Sequence, residues 1–281
     1  MTDERGELFD RLERFYDAVP RDTARAEDFG PLVLFVREDA GFPYYARPRI
    51  DGPGPPSAAD LAAVRERQRE LGLPEAFEWV HERVPDLLPV ARSAGLSVLE
   101  APLMVLDPAA LPAAGELPDV PVRILDPAAE SFPADVAARR AVAQVGFGAP
   151  GTGRGDAGPA ARDAALVRPA PADIEAERAR ATAGTRLSAL VELPGDGALA
   201  SGMAMRVDDV AELAGVATVP AARRRGLGLA LTAALARRLL ADGVDLVFLS
   251  AGSEDIARVY LRAGFRRIGT ACIAEPAAVL G

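Results

Sequence analysis

The chain has 281 residues, of which 49% are hydrophobic and 26% are charged, so it can bury a sizeable core and is predicted to be globular. Its net charge of -9 argues against a general nucleic-acid binder, because neutralising phosphates requires a basic surface. All 32 basic residues are Arg, so a Walker-type phosphate loop is excluded for want of its lysine.

Cysteine and histidine are too scarce for several kinds of site. Cys272 and His81 are the sole examples of their types, so we expect neither an intramolecular disulfide nor a His/Cys metal site. The N-terminal stretch "MTDERGELFDRLERF" has no apolar signal core, and no apolar run reaches the roughly 18 residues of a membrane span. A cytoplasmic protein that binds neither membrane nor nucleic acid is therefore expected.

Two compositional breaks divide the chain. The first, "LDPAALPAAGELPD" at 106–119, is rich in Pro and Ala and predicts a linker. The second, "GFGAPGTGRGDAGPAAR" at 146–162, is rich in Gly and predicts a mobile loop within the second half. We therefore predict an N-terminal domain at 1–110, a linker at 111–118 and a C-terminal domain at 119–281.

The first half contains two helix-then-strand patterns. They are "SAADLAAVRERQRELGLPEAFEWV" at 57–80 and "PDLLPVARSAGLSVLEAPLMV" at 85–105. The later pattern aligns without gaps with "EDIARVYLRAGFRRIGTACIA" at 254–274, and the dipeptide "AG" coincides in both. Chance similarity between two helix–glycine–strand units is one interpretation. A duplicated domain is the interpretation that we favour.

The first of these copies lacks the residues that could carry chemistry in the second. Ala91 stands where Tyr260 stands in the later copy, and "DGPGPPS" at 51–57 replaces the glycine-rich run at 223–231. We therefore predict that the N-terminal domain is a smaller, related α/β domain that has lost its function.

The second half alternates strand and helix patterns, with Gly264 suited to the end of the last helix. This order predicts a mixed α/β fold. Predicted strands lie at 120–125, 186–193, 198–207, 210–219, 244–250 and 265–275, and predicted helices at 133–145, 171–183, 226–241 and 254–263.

The segment "RRRGLGLAL" at 223–231 suggests an anion site. The first N–H groups of a helix that starts at Gly226 have no partner within the helix and carry a partial positive charge. Gly226 and Gly228 lack a Cβ atom, so a ligand can approach the main chain closely. The arginines at 223–225 add forked cationic donors, and a diphosphate fits this arrangement.

Two known nucleotide-binding motifs do not fit this segment. The Rossmann fingerprint G-x-G-x-x-G/A requires a small residue where this chain has Leu231, and the phosphate loop lacks its lysine. The remaining motif is R-x-x-G-x-G, formed by Arg223, Gly226 and Gly228.

The surroundings of this motif resemble the GCN5-related N-acetyltransferase (GNAT) superfamily. The resemblance is close over "AELAGVATVPAARRRGLGLALTAALARRLL" and "VFLSAGSEDIARVYLRAGFRRIGT", and loose over the rest of the second half. It implies a mixed, mostly antiparallel sheet flanked by helices, with acetyl-CoA as co-substrate and no metal. A tandem of an inactive N-terminal copy and an active C-terminal copy would fit.

The resemblance also implies the parts of a cofactor site. The strand before the glycine loop splays from its neighbour and pairs with the pantetheine amides, while the loop and the helix start bind the diphosphate. Ser253 stands where the family often has Asn, and its hydroxyl can still form a hydrogen bond. The implied residues are Ala217, Thr218, Val219, Arg223, Arg224, Arg225, Gly226, Leu227, Gly228, Leu229 and Ser253.

Three groups are candidates for the chemistry. The resemblance implies that Tyr260 protonates the departing thiolate. A main-chain N–H near Val219 could stabilise the oxyanion that forms when an amine attacks the thioester. Glu212 is our candidate base for the amine, directly or through water, because an alkyl amine is protonated at neutral pH.

We therefore expect an N-acetyltransferase that acts through a ternary complex on a primary amine of a small molecule or peptide. The acceptor is expected between the two domains or under the loop at 146–162. An acyl-CoA-binding pseudoenzyme or sensor is the first alternative, and a partner-interaction protein with two decayed copies is the second. The sequence leaves a homodimer open.

Overall fold

Helices and strands alternate along the chain in the computed structural model, which describes residues 2–39 and 41–277. The chain divides into two units. The first unit is made of residues up to Leu103 together with those from Ile268 onward, and the second is Met104–Arg267. The domains predicted from the compositional breaks, at 1–110 and 119–281 with a linker at 111–118, stay a prediction.

The first unit opens with a long helix and carries two shorter helices on a mixed sheet. Its strands follow the order β1-β2-β3-β4-β11-β5, with β3 and β4 parallel and β4 antiparallel to β11. Its elements are α1 (Thr2–Arg21), β1 (Ala24–Phe29), β2 (Leu32–Arg37), β3 (Ala46–Pro48), α2 (Ala58–Glu70), β4 (Phe77–Val80), α3 (Leu87–Ser93), most of β5 (Leu96–Leu106) and most of β11 (Phe265–Pro276).

The second unit carries the motifs of the second half. Its strands follow the order β10-β9-β8-β7-β6, in which β9 and β10 are parallel and the other neighbours antiparallel. Its elements are β6 (Val122–Ile124), α4 (Phe132–Phe147), α5 (Pro159–Ala164), α6 (Pro171–Thr182), β7 (Arg186–Leu193), β8 (Gly197–Val207), β9 (Val210–Thr218), α7 (Leu227–Ala241), β10 (Leu246–Ser250) and α8 (Glu254–Arg262).

Helices cover both faces of the β7–β9 sheet. Successive side chains of a strand point to opposite faces, so Leu190 and its neighbour Val191 belong to different clusters. One cluster takes the apolar stripe of α7, and each buried leucine contributes about 2 kcal/mol. The other cluster takes Phe132 from α4 and Ile174 from α6.

Sequence pattern and structure agree for most elements of the second half. The mixed, mostly antiparallel sheet flanked by helices is confirmed, and β7 coincides with the predicted strand at 186–193. Strand β6 is shorter than predicted, at Val122–Ile124. Helix α5 was not predicted, because its six residues within the Gly-rich stretch are too few to show a helical period.

The two helix–glycine–strand patterns have the same local structure. Helix α3 is followed by Gly95 and β5, and helix α8 is followed by Gly264 and β11. Both glycines have a positive φ, 79° and 89° respectively, a conformation that favours glycine just past a helix end. This agreement is compatible with duplication, which stays a prediction.

Within residues 2–39 and 41–277, no helix combines the length and the apolar character that crossing a bilayer requires. The same residues hold no group of three or more His, Cys, Asp or Glu side chains placed to bind a metal ion.

Candidate functional site

Strand β9 leaves its parallel neighbour β10 part-way along its length. The two strands are in register from Leu246 opposite Val210 to Phe248 opposite Glu212, and the described pairing ends there. The six residues 213–218 continue β9 and all line one cleft. Since side chains of both faces and the intervening backbone border this space, β9 presents a strand edge to the cleft. The predicted splay is therefore observed, and it begins before Ala217.

A β-bulge interrupts the other edge of β9. Ser201 on β8 lies opposite Ala217, whereas Met203 lies opposite Ala214. Two β9 residues, Gly215 and Val216, therefore face a single residue of β8. Gly215 has φ 61°, which favours glycine. The bulge turns main-chain groups out of the ladder at the middle of the cleft wall.

The connection from β9 to α7 leaves a helix N-terminus open. Gly226 is the N-cap with φ 77° and provides no side-chain cap, and the first turn holds no acidic residue. The first helical hydrogen bond runs from Ala230 N to Gly226 O at 3.0 Å. No described group accepts from the N–H groups of 227–229, which remain for an anion.

The two glycines of the motif have different reasons to be glycine. A Cβ atom on Gly226 would lie 2.3 Å from Pro118 Cγ, and its positive φ adds strain for any other residue. A Cβ atom on Gly228 would meet Thr218 Oγ1 at 3.6 Å, an ordinary contact. Gly226 is therefore required by the conformation and packing of the protein itself, whereas a side chain at position 228 would meet only an ordinary contact.

A cleft of about 870 Å³ unites most of the predicted residues. It runs from the β9 edge past the start of α7 to helix α8. The predicted residues that line it are Ala217, Thr218, Arg223, Arg224, Gly226, Leu227, Gly228, Leu229 and Tyr260. The predicted residues outside its lining are Glu212, Val219, Arg225 and Ser253.

Arg223 binds protein carbonyls. Its Nη2 donates to Gly146 O and Ala149 O, both at 2.7 Å, and Nη1 donates to Gly153 O at 3.2 Å. Nε donates to Thr218 O at 3.3 Å. Burial lowers the pKa of Arg223. Arg223 therefore fastens the Gly-rich stretch to the start of the glycine loop, while Arg224 and Arg225 are exposed to solvent.

Further hydrogen bonds hold the same stretch. Gly155 N donates to Pro220 O at 3.2 Å, and Ala221 N donates to Ala157 O at 3.0 Å. The segment 146–162 is therefore attached to the glycine loop by hydrogen bonds and runs into α5, and its predicted mobility stays a prediction. Its residues 149–152 and Phe147 line the cleft.

The main-chain N–H of Val219 is already used. It donates to Leu199 O at 2.9 Å, and Val219 is fully buried. The Val219 amide is therefore not free to donate to an oxyanion, and the prediction of a main-chain donor near Val219 depends on its neighbours. The bulge at Gly215 and Val216 is the nearby interruption of the ladder, and a single sequence does not reveal it.

Ser253 caps a helix. Its Oγ accepts from Ile256 N at 3.3 Å at the start of α8, and Glu254 and Asp255 follow in the first turn. Ser250 and Gly252 line the cleft, whereas Ser253 does not. Its cofactor role stays a prediction.

Tyr260 lies at the junction of core and cleft. The side chain is 8% exposed, packs edge-on against Phe265 with ring centroids 6.0 Å apart, and lines the cleft. Burial raises the pKa of Tyr260 to about 12. The phenol is therefore protonated across the neutral range and can act as a proton donor.

Glu212 lies on β9 just before the splay. It is half-buried and pairs in register with Met205 on β8 and Phe248 on β10. The described residues lining the cleft include one carboxylate, Glu116, whose Oε2 accepts from Ala113 N at 2.8 Å. Sequence reasoning missed Glu116 and Phe147, because no motif marks either residue.

This chain is similar to a known sequence family and to several solved structures. Residues 193–274 match the sequence model of the family described as "FR47-like protein". A GCN5-related N-acetyltransferase from Kribbella flavida is 24% identical, with 95% of this chain and 96% of that chain covered and a TM-score of 0.66. No curated protein sequence matches.

More distant structures have the same fold over both halves of the chain. A GCN5-related N-acetyltransferase from Sphaerobacter thermophilus is 17% identical, covering 87% of this chain and 80% of that chain with a TM-score of 0.52. A tandem GNAT protein from the clavulanic acid biosynthesis pathway is 15% identical, covering 88% and 80% with a TM-score of 0.52.

Proposed function

Since the chain has the fold of the GCN5-related N-acetyltransferase superfamily, we propose that it is an N-acetyltransferase. It transfers an acetyl group from acetyl-CoA to a primary amine of a small molecule or peptide in a ternary complex. One observation carries this proposal. The free edge of β9, the open N-terminus of α7 and the side chain of Tyr260 all line the same cleft.

The chemistry of the wall fits coenzyme A. The open N–H groups at 227–229 and the exposed Arg224 suit a diphosphate, because both offer positive charge to oxygen anions. The β9 edge at 213–218 offers main-chain donors and acceptors to the amides of pantetheine. Gly228 keeps the approach to the helix start clear.

Two groups of this chain would act on the thioester, which supplies an activated acetyl group to a neutral amine. As the C–N bond forms, main-chain N–H groups at the Gly215–Val216 bulge would stabilise the negative charge on the carbonyl oxygen. As the C–S bond breaks, Tyr260 would give its hydroxyl proton to the sulfur. The proton that leaves the amine balances this donation.

The amine must lose a proton before it attacks, because alkyl amines have pKa values of about 10. Glu212 is our proposed base. Since it is half-buried on β9 and does not line the cleft, it would act through a water molecule.

The test has two stages. Coenzyme A should raise the melting temperature, because a ligand that binds the folded form stabilises it. Acetyl-CoA should then release free thiol in the presence of amines from a broad library. Binding without thiol release for any amine would favour the pseudoenzyme or sensor, and no stabilisation by coenzyme A would remove the proposal.

A further inference from the structure

One aromatic side chain of the cleft is largely exposed. Phe147, the last residue of α4, lines the cleft and is 64% exposed. The end of this helix contacts β9: a Cβ atom on Gly146 would lie 2.8 Å from Ala217 Cβ and 3.3 Å from Thr218 O. Phe147 therefore lies beside the free edge of β9, with much of its apolar surface available to a ligand.

Phe147 and the open helix start lie on opposite faces of the sheet. Ala217 and Thr218 are neighbours on β9, so their side chains point to opposite faces. The side chain of Ala217 meets Gly146 at the end of α4. Thr218 Oγ1 faces the first turn of α7, at 3.6 Å from a Cβ atom placed on Gly228. The cleft therefore extends around the free edge of β9, from the α7 face to the α4 face.

The proposed base lies on the same face as Phe147. Ala211 and Leu213, on either side of Glu212, belong to the core cluster that contains α7. The side chain of Glu212 therefore points to the α4 face. Coenzyme A bound along the β9 edge and at the start of α7 would leave the α4 side of the cleft for the acceptor. The amine would then reach Glu212 through water, while the rest of the acceptor lies against Phe147.

The α4 side of the cleft offers apolar surface and no charge. The residues after Phe147 that line it, 149–152, are Ala, Pro, Gly and Thr. The described residues that line the whole cleft include four charged ones, which are Glu116, Arg223, Arg224 and Arg262. The single carboxylate among them already accepts from the N–H of Ala113. An acceptor with several ammonium groups would therefore meet mostly like charges, which oppose binding.

We infer that Phe147 determines acceptor specificity and that the acceptor is an apolar monoamine, with one primary amine on an apolar body that covers the exposed ring. This inference rests on the proposed acetyl transfer and names the class of its acceptor. Covering the ring removes apolar surface from water, which favours binding in proportion to the area buried. An aromatic body adds a favourable contact between the two rings.

Two matched pairs of amines test the two parts of this inference. Phenethylamine and ethylamine differ in a phenyl group, and pentylamine and 1,5-diaminopentane differ in a second cation. Thiol release gives kcat/KM, and calorimetry with coenzyme A bound gives affinity. We expect phenethylamine to exceed ethylamine by about tenfold or more in both quantities, because it buries an aromatic group. Pentylamine should exceed 1,5-diaminopentane by about tenfold.

Three variants assign these preferences to the exposed ring. Phe147→Ala should reduce the preference for phenethylamine over ethylamine to about twofold and leave stabilisation by coenzyme A unchanged. Val167→Ala is the matched control, because Val167 is 71% exposed and does not line the cleft, and it should retain the preference.

Phe147→Trp provides a measurement that does not depend on turnover. The single tryptophan of the chain, Trp79, is buried in the first unit. Phenethylamine should therefore change the fluorescence of the Phe147→Trp protein and leave that of the wild type unchanged.

Each outcome decides the inference separately from the proposed function. Equal or better use of ethylamine or 1,5-diaminopentane, or a preference that survives Phe147→Ala, would overturn the inference while acetyl transfer stands. If coenzyme A fails to bind, or binds without thiol release for any amine, the proposed function falls. The affinities and the fluorescence of Phe147→Trp then decide the inference, and no fluorescence change with phenethylamine would overturn it.

Discussion

The N-termini of helices α2 and α7 differ in how their first N–H groups are treated. Ser57 caps α2: its Oγ accepts from Asp60 N at 3.3 Å, and Asp60 Oδ2 accepts from Ser57 N at 2.8 Å. Helix α7 begins at Gly226 with no side-chain cap and no acidic residue in its first turn. In α2 a serine hydroxyl accepts from an N–H group of the first turn and a carboxylate accepts from the N–H of the capping residue, whereas the start of α7 has neither contact.

This difference separates structure from function in two similar sequence patterns. A helix end without partners costs stability, so a helix normally uses a capping residue, as α2 does. If the two patterns arose by duplication, as we predict, the stretch "DGPGPPS" stands in place of the glycine loop and ends at Ser57, the capping residue. The carboxylate of Asp60 would repel an anion at the start of α2, whereas the start of α7 offers N–H donors and no carboxylate.

Closing the α7 start with a carboxylate should have the largest effect. Gly228→Asp places a negative charge in the first turn, as Asp60 does in α2, at a position with room for a side chain. We expect affinity for coenzyme A to fall about 100-fold, on the order of 3 kcal/mol, through repulsion of the diphosphate. Isothermal titration calorimetry measures this loss.

The neutral variant Gly228→Asn is the matched control, because it has nearly the same size without the charge. It should lose much less affinity than Gly228→Asp, and both proteins should melt near the wild-type temperature. Equal losses in the two variants would mean that the site is limited by space and not by charge.

The aligned positions Tyr260 and Ala91 make the second comparison. Both are buried, but Tyr260 lines a cleft, whereas Ala91 belongs to the core of the first unit. Tyr260→Phe should lower kcat about 10- to 100-fold with little change in the affinity for coenzyme A, because it removes a proton donor and keeps the ring. Steady-state kinetics and calorimetry read the two quantities separately.

The raised pKa of Tyr260 also predicts how the stability of the protein depends on pH. Because burial raises this pKa from 10.0 to about 12, the folded protein favours the neutral phenol. The associated stability is complete below pH 10 and is lost as the pH rises through about 12. Tyr260→Phe should remove this loss of stability at alkaline pH. In the kinetic experiment, an unchanged kcat for the same variant would mean that Tyr260 takes no part in the mechanism.

The sequence predicts most of the second unit and the central part of its site. Glycine spacing and apolar periods locate α7 and β9, because both signals are local. The bulge at Gly215 depends on the register with β8, and the fastening role of Arg223 depends on carbonyls far along the chain. Neither can be read from neighbouring residues.

The capping role of Ser253 was available in principle. The pattern S-E-D before a helical run is a helix-start signal, whereas the family resemblance implies a cofactor contact for the same serine.

Removing the α2 cap should affect folding and leave ligand binding intact. Ser57→Ala should lower the free energy of unfolding by about 1 kcal/mol, the usual contribution of a capping serine. Chemical denaturation measures this loss. Affinity for coenzyme A should stay at the wild-type value, and a reduced affinity would contradict the functional contrast between the two helix starts.

The smallest effect is expected at the third helix start, that of α8. Ser253 caps this helix as Ser57 caps α2, and two acidic residues follow it, so α8 belongs with the closed starts. Ser253→Ala should cost about 0.5–1 kcal/mol of unfolding free energy, because Ser253 makes a single cap contact, whereas the cap of α2 is reciprocal. The dissociation constant for coenzyme A should not change, since Ser253 does not line the cleft. A weaker complex together with unchanged stability would show instead that the hydroxyl acts on the cofactor, as the family resemblance implies, and α8 would then join α7 among the helix starts that serve the ligand.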